Sequence, residues 1–224
     1  MKTFELTLFD GHPIIHDEDN IILIDTGAPK TIHHSSHFDF LADAYNASTN
    51  FMGLTPDKLS QLVGMPVTTL IGVDVLKNYI LIFDYRNLQV SLSKKDIEFE
   101  GNDMIIQSFM GIPIIEVEIE GRNLRCFLDT GAKLSYLPKS LTINYPPGDL
   151  LEDFYPGVGR FETRCYEIMT RVGPEDFMVR YGNLPQMLEM SLMLGGVEGI
   201  LGYDFFKNFK VYIDLKSSRL KFMP

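Results

Sequence analysis

Asp25-Thr26-Gly27-Ala28 occurs again 104 residues on, as Asp129-Thr130-Gly131-Ala132. Each copy ends an apolar run, Ile21 to Ile24 in the first and Cys126 to Leu128 in the second. Six residues past each Asp stands a hydroxyl residue, Thr31 or Ser135, followed by Ile32 or Tyr136. With Gly at about 7% of residues and Asp and Thr each at roughly 5%, one such tripeptide has a chance of only a few per cent here. Two with matching flanks are not an accident of composition.

The repetition goes further. Ile71-Gly72-Val73-Asp74-Val75-Leu76-Lys77-Asn78-Tyr79 aligns with Leu201-Gly202-Tyr203-Asp204-Phe205-Phe206-Lys207-Asn208-Phe209, and each block leads into an apolar strand ending at Asp84 or Asp214. The blocks keep their order, but the second copy holds more residues between them. The chain therefore reads as one unit of about a hundred residues present twice, too long a period for a solenoid. Two such units are expected to pack about an internal pseudo-twofold, as a symmetric dimer does, which predicts a monomer. The expected division is 1–98 and 99–224, joined through the polar stretch Ser93 to Asp103.

Length and composition narrow the function. A chain of 224 residues buries enough surface for a substantial core. Its net charge of −10 argues against a nucleic-acid partner, which demands clustered Lys and Arg. Met1 to Phe9 has neither the basic start nor the apolar centre of an export signal. No apolar run is long enough to span a bilayer. The expected location is cytoplasmic, with Cys126 and Cys165 as reduced thiols rather than a bridge. His33 and His37, four apart with His34 between them, could share a helix face as metal ligands. No Cys or helical Glu completes that set, and Ser35-Ser36 suggests an exposed loop, so neither a metal nor a cofactor is expected.

Along the chain, Thr3 to Phe9 alternates as one strand with Phe4, Leu6 and Leu8 on a face. Ile21 to Ile24 is a buried strand that delivers Asp25. Leu41 to Met52 has no period and reads as loop. Thr55-Pro56-Asp57 opens a helix that carries Leu59, Leu62 and Val63 and stops at Gly64. Tyr79 to Phe83 and Leu88 to Leu92 are strands, as are Ile115 to Ile119 and Leu124 to Leu128. Phe161 to Val172 and Phe177 to Tyr181 suggest a hairpin turning at Gly173-Pro174. Met187 to Leu194 is apolar and fits either helix or strand. Asp74 and Asp204 each follow a Gly and open a short helix, where an acid is stabilised by the helix end; they read as structural.

Two carboxylates at matching glycine turns, related by a pseudo-twofold, are expected to face each other. Unit charges about 4 Å apart repel by ~4 kcal/mol at an effective dielectric of about 20, equivalent to about three pH units. Both cannot then be ionised near neutrality, and one shared proton places an acid beside a base. The ionised member can take a proton from water while the protonated one polarises a carbonyl.

On these residues the chain resembles the retropepsin-like aspartic peptidases, in a fused single-chain form closer in plan to the two-lobed pepsins. The motifs are the paired Asp-Thr-Gly-Ala, the hydroxyl six on, and Leu70-Ile71-Gly72 with Ile200-Leu201-Gly202. The resemblance implies an all-β bilobal fold with a cleft, and endopeptidase activity on peptide or protein substrates. By it, Asp25 and Asp129 are the catalytic pair, Thr26 and Thr130 brace the loops, and Gly27 and Gly131 allow close backbone approach. Ala follows Gly in both copies, where many pepsins carry a hydroxyl donor. The family covers its cleft with hairpin flaps. Tyr155-Pro156-Gly157-Val158-Gly159 is the candidate flap tip, with Tyr155, Gly157, Val158 and Gly159 touching substrate. The first copy is too short for a flap and looks helical there. The alternative reading is a catalytically silent pseudo-peptidase that binds extended peptides by strand addition.

Overall fold

The computed structural model describes residues 1–155 and 158–224, and they are mostly β-strand with short helices between. In the first half, Thr7–Phe9, His12–Asp17, Asn20–Ile24, Thr69–Ile71 and Ile32–His33 form one sheet in that order. The second half repeats it with Gln107–Phe109, Ile112–Ile119, Arg122–Leu128, Gly199–Leu201 and Ser135–Tyr136, then adds Glu175–Gly182 and Tyr166–Val172. In both, the strand entering Asp-Thr-Gly runs parallel to the strand entering Gly-x-Asp, with Ile24 opposite Ile71 and Leu128 opposite Leu201. Parallel partners need a long crossover, which is why each half separates its two motif blocks.

A third, six-stranded sheet joins the halves. Its order is Lys2–Glu5, Gln89–Ser93, Ile80–Asp84, Lys210–Asp214, Arg219–Met223, Asn102–Ile105, three strands from each half. The central pair is antiparallel, Phe83 opposite Val211, and the order reads equivalently from either edge, as a duplicated chain requires. Beneath it Phe177, Phe205, Phe206, Phe209 and Phe222 pack edge to face and tilted at centroid separations of 5.0 to 5.9 Å, the geometry aromatic quadrupoles favour.

The helix Pro56–Val63 forms as its sequence predicts. The Thr55 hydroxyl accepts from the Lys58 amide at 3.2 Å, Gly64 ends it at φ 89°, and Leu59, Leu62 and Val63 are buried. Burial of such side chains contributes about 1.5–3 kcal/mol each as an upper bound.

Several expectations are corrected. Thr3 to Phe9 is not one strand: it breaks at Leu6, whose amide bonds the Leu88 carbonyl at 2.7 Å, and its ends join different sheets. Leu41 to Met52 is not all loop, because His37–Phe40 and Asp43–Asn46 pair as a hairpin. Its turn residues Leu41 and Ala42 take positive φ values of 51° and 65° without the Gly or Asn that normally marks such a turn. The stretch from Phe161 to Val172 is two strands divided at Cys165. Gly159–Arg164 pairs with Leu150–Tyr155, and Tyr166–Val172 pairs with Glu175–Gly182. Gln186–Leu194 is a helix. No helix among the described residues is long and apolar enough to cross a membrane.

The hairpin of Leu150–Tyr155 and Gly159–Arg164 forms its own two-stranded sheet. It reaches from the second half onto the first. Phe154 joins the apolar cluster of Ile14, Leu23, Leu59 and Leu62, and the Arg160 guanidinium donates to the Gln61 and Leu62 carbonyls at 3.1 Å each. Those carbonyls end a helix, where a cation is favoured.

Candidate active site

The two Asp-Thr-Gly loops are clasped through their threonines. The Thr26 amide donates to Thr130 Oγ1 at 3.0 Å and the Thr26 hydroxyl donates to the Leu128 carbonyl at 2.8 Å. The converse pair holds as well: the Thr130 amide donates to Thr26 Oγ1 at 3.0 Å and its hydroxyl to the Ile24 carbonyl at 2.8 Å. Both threonines are fully buried, so each bond forms without competition from water.

This clasp fixes the aspartates. Gly27 N–H donates to Asp25 Oδ1 and Gly131 N–H to Asp129 Oδ1, each at 2.8 Å. Each glycine also lies against the opposite carboxyl. A Cβ on Gly131 would stand 2.6 Å from Asp25 Cγ, and one on Gly27 closer still to the Asp129 carboxyl. The absent side chain is thus what lets the loops interlock. Asp25 and Asp129 are half-buried, and their carboxyl groups are in hydrogen-bond contact with each other.

Burial raises both carboxyls above the usual carboxylate range. At Asp25 burial comes first and the charge of Asp129 second; the Gly27 and Ala28 amides pull the other way. At Asp129 burial again leads, opposed by the Gly131 amide. The pair therefore holds one proton well above the pH at which a solvated aspartate loses it.

The hydroxyl six residues after each Asp also has a role. Thr31 Oγ1 accepts from the Gly72 amide at 3.1 Å and donates to Asp74 at 2.6 Å; Ser135 Oγ accepts from the Gly202 amide at 3.0 Å. These bonds tie each aspartate loop to its Gly-x-Asp block. Asp74 and Asp204 stay outside the pair: Asp74 accepts from Thr31, and Asp204 from the Arg180 amide at 2.8 Å.

Of the candidate flap residues, Tyr155, Val158 and Gly159 are described, while Gly157 and the adjoining Pro156 lie outside the described residues. Tyr155 lies opposite Gly159 at the end of the hairpin. Its phenol is pushed up to about 12, by burial first and then by the charges of Asp129 and Asp25. Val158 packs on the cluster holding Leu134, Tyr136 and Ala132.

His33 and His37 lie on strands and His34 in the bend between them, not on a helix face. His33 Nδ1 bonds Thr69 Oγ1 at 2.8 Å, and His37 begins the hairpin at 37–40. Cys126 and Cys165 are buried free thiols.

Two buried residues at the hairpin, Asp153 and His12, were not singled out as site residues by sequence reasoning. Asp153 is 5% exposed, and its carboxylate accepts the Tyr136 hydroxyl. His12, also buried, stacks on Phe154 at 5.5 Å. The detectable signal was alternation within Leu150–Tyr155, which places Asp153 on the same face as Tyr155. No protein-family model matches the chain, and no curated protein matches it.

Proposed function

We propose that the chain is an aspartic endopeptidase of the retropepsin-like kind, with both lobes in one polypeptide and a cleft between them. The observation that carries this reading is the contact of the Asp25 and Asp129 carboxyls across clasped Asp-Thr-Gly loops. The ionised carboxyl removes a proton from a water, whose oxygen attacks the peptide carbonyl carbon. The protonated carboxyl donates to the carbonyl oxygen as the tetrahedral centre forms. Collapse of that centre breaks the C–N bond, and the proton taken from water goes to the departing amine. No covalent intermediate with the protein arises. The paired strands Leu150–Tyr155 and Gly159–Arg164 supply a cover from the second lobe alone, and the helix Pro56–Val63 occupies the first lobe's counterpart.

The test is incubation of the purified protein with an unfolded polypeptide in ¹⁸O-labelled water. The expected result is new pairs of fragments, the acyl-side member of each pair carrying one labelled oxygen in its new carboxyl group, and no trapping by added hydroxylamine. An adduct with hydroxylamine would contradict direct attack by water. Binding of the polypeptide without cleavage would support the silent peptide-binder reading instead.

The pH dependence follows from the sign of the shift. The shared proton is held more tightly than in a free aspartate, so the acid remains available up to the raised titration step and is lost above it. At low pH the second carboxyl gains a proton and the base disappears. Because Ala28 and Ala132 offer no hydroxyl donor, neither carboxylate receives the extra stabilisation that lowers such values. The optimum is expected nearer neutrality than that of gastric enzymes; a profile peaking below about 3 would contradict this.

A further inference from the structure

We propose that the outer face of the helix Gln186–Leu194 is a docking surface for a second copy of this chain. The inference is independent of the reading of Asp25 and Asp129, whose loops are clasped within one chain. The duplication removes the need for a second copy at the aspartate pair; it places no limit on this outer face.

The helix has two apolar faces. Leu188 and Leu192 are buried and pack with Phe127, Tyr136 and Ile200. Met187, Met190, Met193 and Leu194 are instead 63, 62, 75 and 82% exposed. At 3.6 residues per turn those four fall within about 120° of the helix circumference, on the side away from the buried pair. The stripe continues past the helix end. Gly195 lies against Phe109, where a Cβ would stand 3.2 Å from the ring, and Phe109 is itself 38% exposed.

The internal duplication supplies a control. Pro56–Val63 is the corresponding helix of the first half, since each helix precedes the strand that enters Gly-x-Asp. Each also ends at a Gly beside an equivalent Phe: a Cβ on Gly64 would stand 3.8 Å from the Phe9 ring. The exposed positions of Pro56–Val63 are Asp57, Lys58 and Gln61, all polar. The frame therefore folds with a polar outer face, and burial of the inner leucines does not call for methionines outside.

Area selects the occupant. At roughly 200 Å² for a fully exposed residue of this size, the five leave about 600 Å² of largely apolar surface in water, the upper end of what a monomer shows. Two such faces bury about 1,200 Å² together, the lower bound of a specific interface, so the stripe alone suffices for a reversible dimer. A twofold pairing sets the helix antiparallel on its copy, stripe against stripe. Glu189 flanks the stripe near the helix start, and Arg125, which donates to the Gly196 carbonyl at 2.9 Å, stands at the other end. The antiparallel order brings each toward the opposite sign on the copy. Methionine suits such a seam because its unbranched thioether fills irregular gaps. The net charge of −10 on each chain opposes association away from the seam, so added salt favours the dimer.

Sedimentation velocity on the full chain across the micromolar range, at low and at moderate salt, tests this. The expected result is a monomer–dimer equilibrium with a micromolar Kd that tightens as salt rises. Met190→Glu sets like charges against each other in the middle of the seam and is expected to weaken association by at least ~10²-fold. Met193→Glu is expected to weaken it as well, and Met190→Leu to preserve it. Gln61→Glu adds the same charge to the polar helix of the first half and is expected to stay within about twofold of the parent. Melting temperatures read alongside show that each variant is folded. A single monomeric species throughout would overturn the proposal. So would a dimer that Met190→Glu and Met193→Glu leave intact, or one that Gln61→Glu dissociates as strongly. A monomer that sediments with neutral phospholipid vesicles through this stripe would also overturn it, in favour of a lipid surface.

Discussion

Asp25→Asn is expected to lower peptide hydrolysis by at least ~10³-fold with the fold intact. Asn has the shape of Asp, and its Oδ1 can still accept from the Gly27 amide that now donates to Asp25 at 2.8 Å. It cannot share a proton with Asp129, so the site loses either its acid or its base. Asp129→Asn is expected to do the same, because Gly131 supports it with an equal bond. Groups that act as one unit are not additive, and the double variant is expected to be no worse than either single. Initial rates on an unfolded polypeptide, with thermal melts run beside them, provide the check. Equal cleavage by the parent and Asp25→Asn would remove the shared-proton mechanism.

The largest expected effect on stability belongs to Thr26→Val. Valine fills the same volume but cannot accept from the Thr130 amide or donate to the Leu128 carbonyl. Two polar atoms would be left buried and unpaired, at about 1–3 kcal/mol each, for a loss of about 2–6 kcal/mol in all. Thr26→Ser retains both bonds and is expected to stay close to the parent. Adding Thr130→Val to Thr26→Val should cost much less than the sum of the singles, because the two hydroxyls serve the same clasp. Urea unfolding measures these differences. A Thr26→Val loss below about 0.5 kcal/mol would mean that the clasp does not hold the loops.

Much of this arrangement was legible from residue order. A tripeptide repeated with its flanks located both loops, the Gly-x-Asp blocks located the strands parallel to them, and Thr55-Pro56 with Gly64 bounded the first-half helix. These signals are local, and local chemistry decides them. What escaped is tertiary. Phe9-x-Gly11-x-Pro13-Ile14-Ile15 recurs as Phe109-x-Gly111-x-Pro113-Ile114-Ile115. It makes matching turns, with Gly11 at φ 84° and Gly111 at φ 85°, but composition alone marks the stretch only as a strand flanked by a turn. Leu6 and Cys165 continue apolar patterns on both sides, so nothing local announces that the chain changes sheets there. Leu41-Ala42 turns with left-handed backbone that propensity does not anticipate; the pairing of Phe38 with Tyr45 and Phe40 with Asp43 imposes it. Asp153 reads as one more acid in an acidic stretch, and only the tertiary fold buries it against Tyr136.

The halves also differ where a perfect duplication would not. Lys133 pairs with Asp10, whereas the equivalent positions on the other side are Pro29 and Met110. Leu150–Tyr155 with Gly159–Arg164 belongs to the second half alone, and its Arg160 donates to carbonyls at the end of the first-half helix. Asp153 and Lys133 both lie on the second-half side, so the two aspartates occupy unequal surroundings within a nearly symmetric frame.

The shared proton can be measured directly by following the carboxyl ¹³C shifts of ¹³C-labelled aspartates against pH, with Asp25→Asn and Asp129→Asn to assign the pair. The expected result is two coupled titrations, in which the second proton leaves well above the usual aspartate range and both carbons respond to each step. Two independent titrations, each at the pH of a solvated aspartate and each unchanged when the partner is replaced, would contradict it.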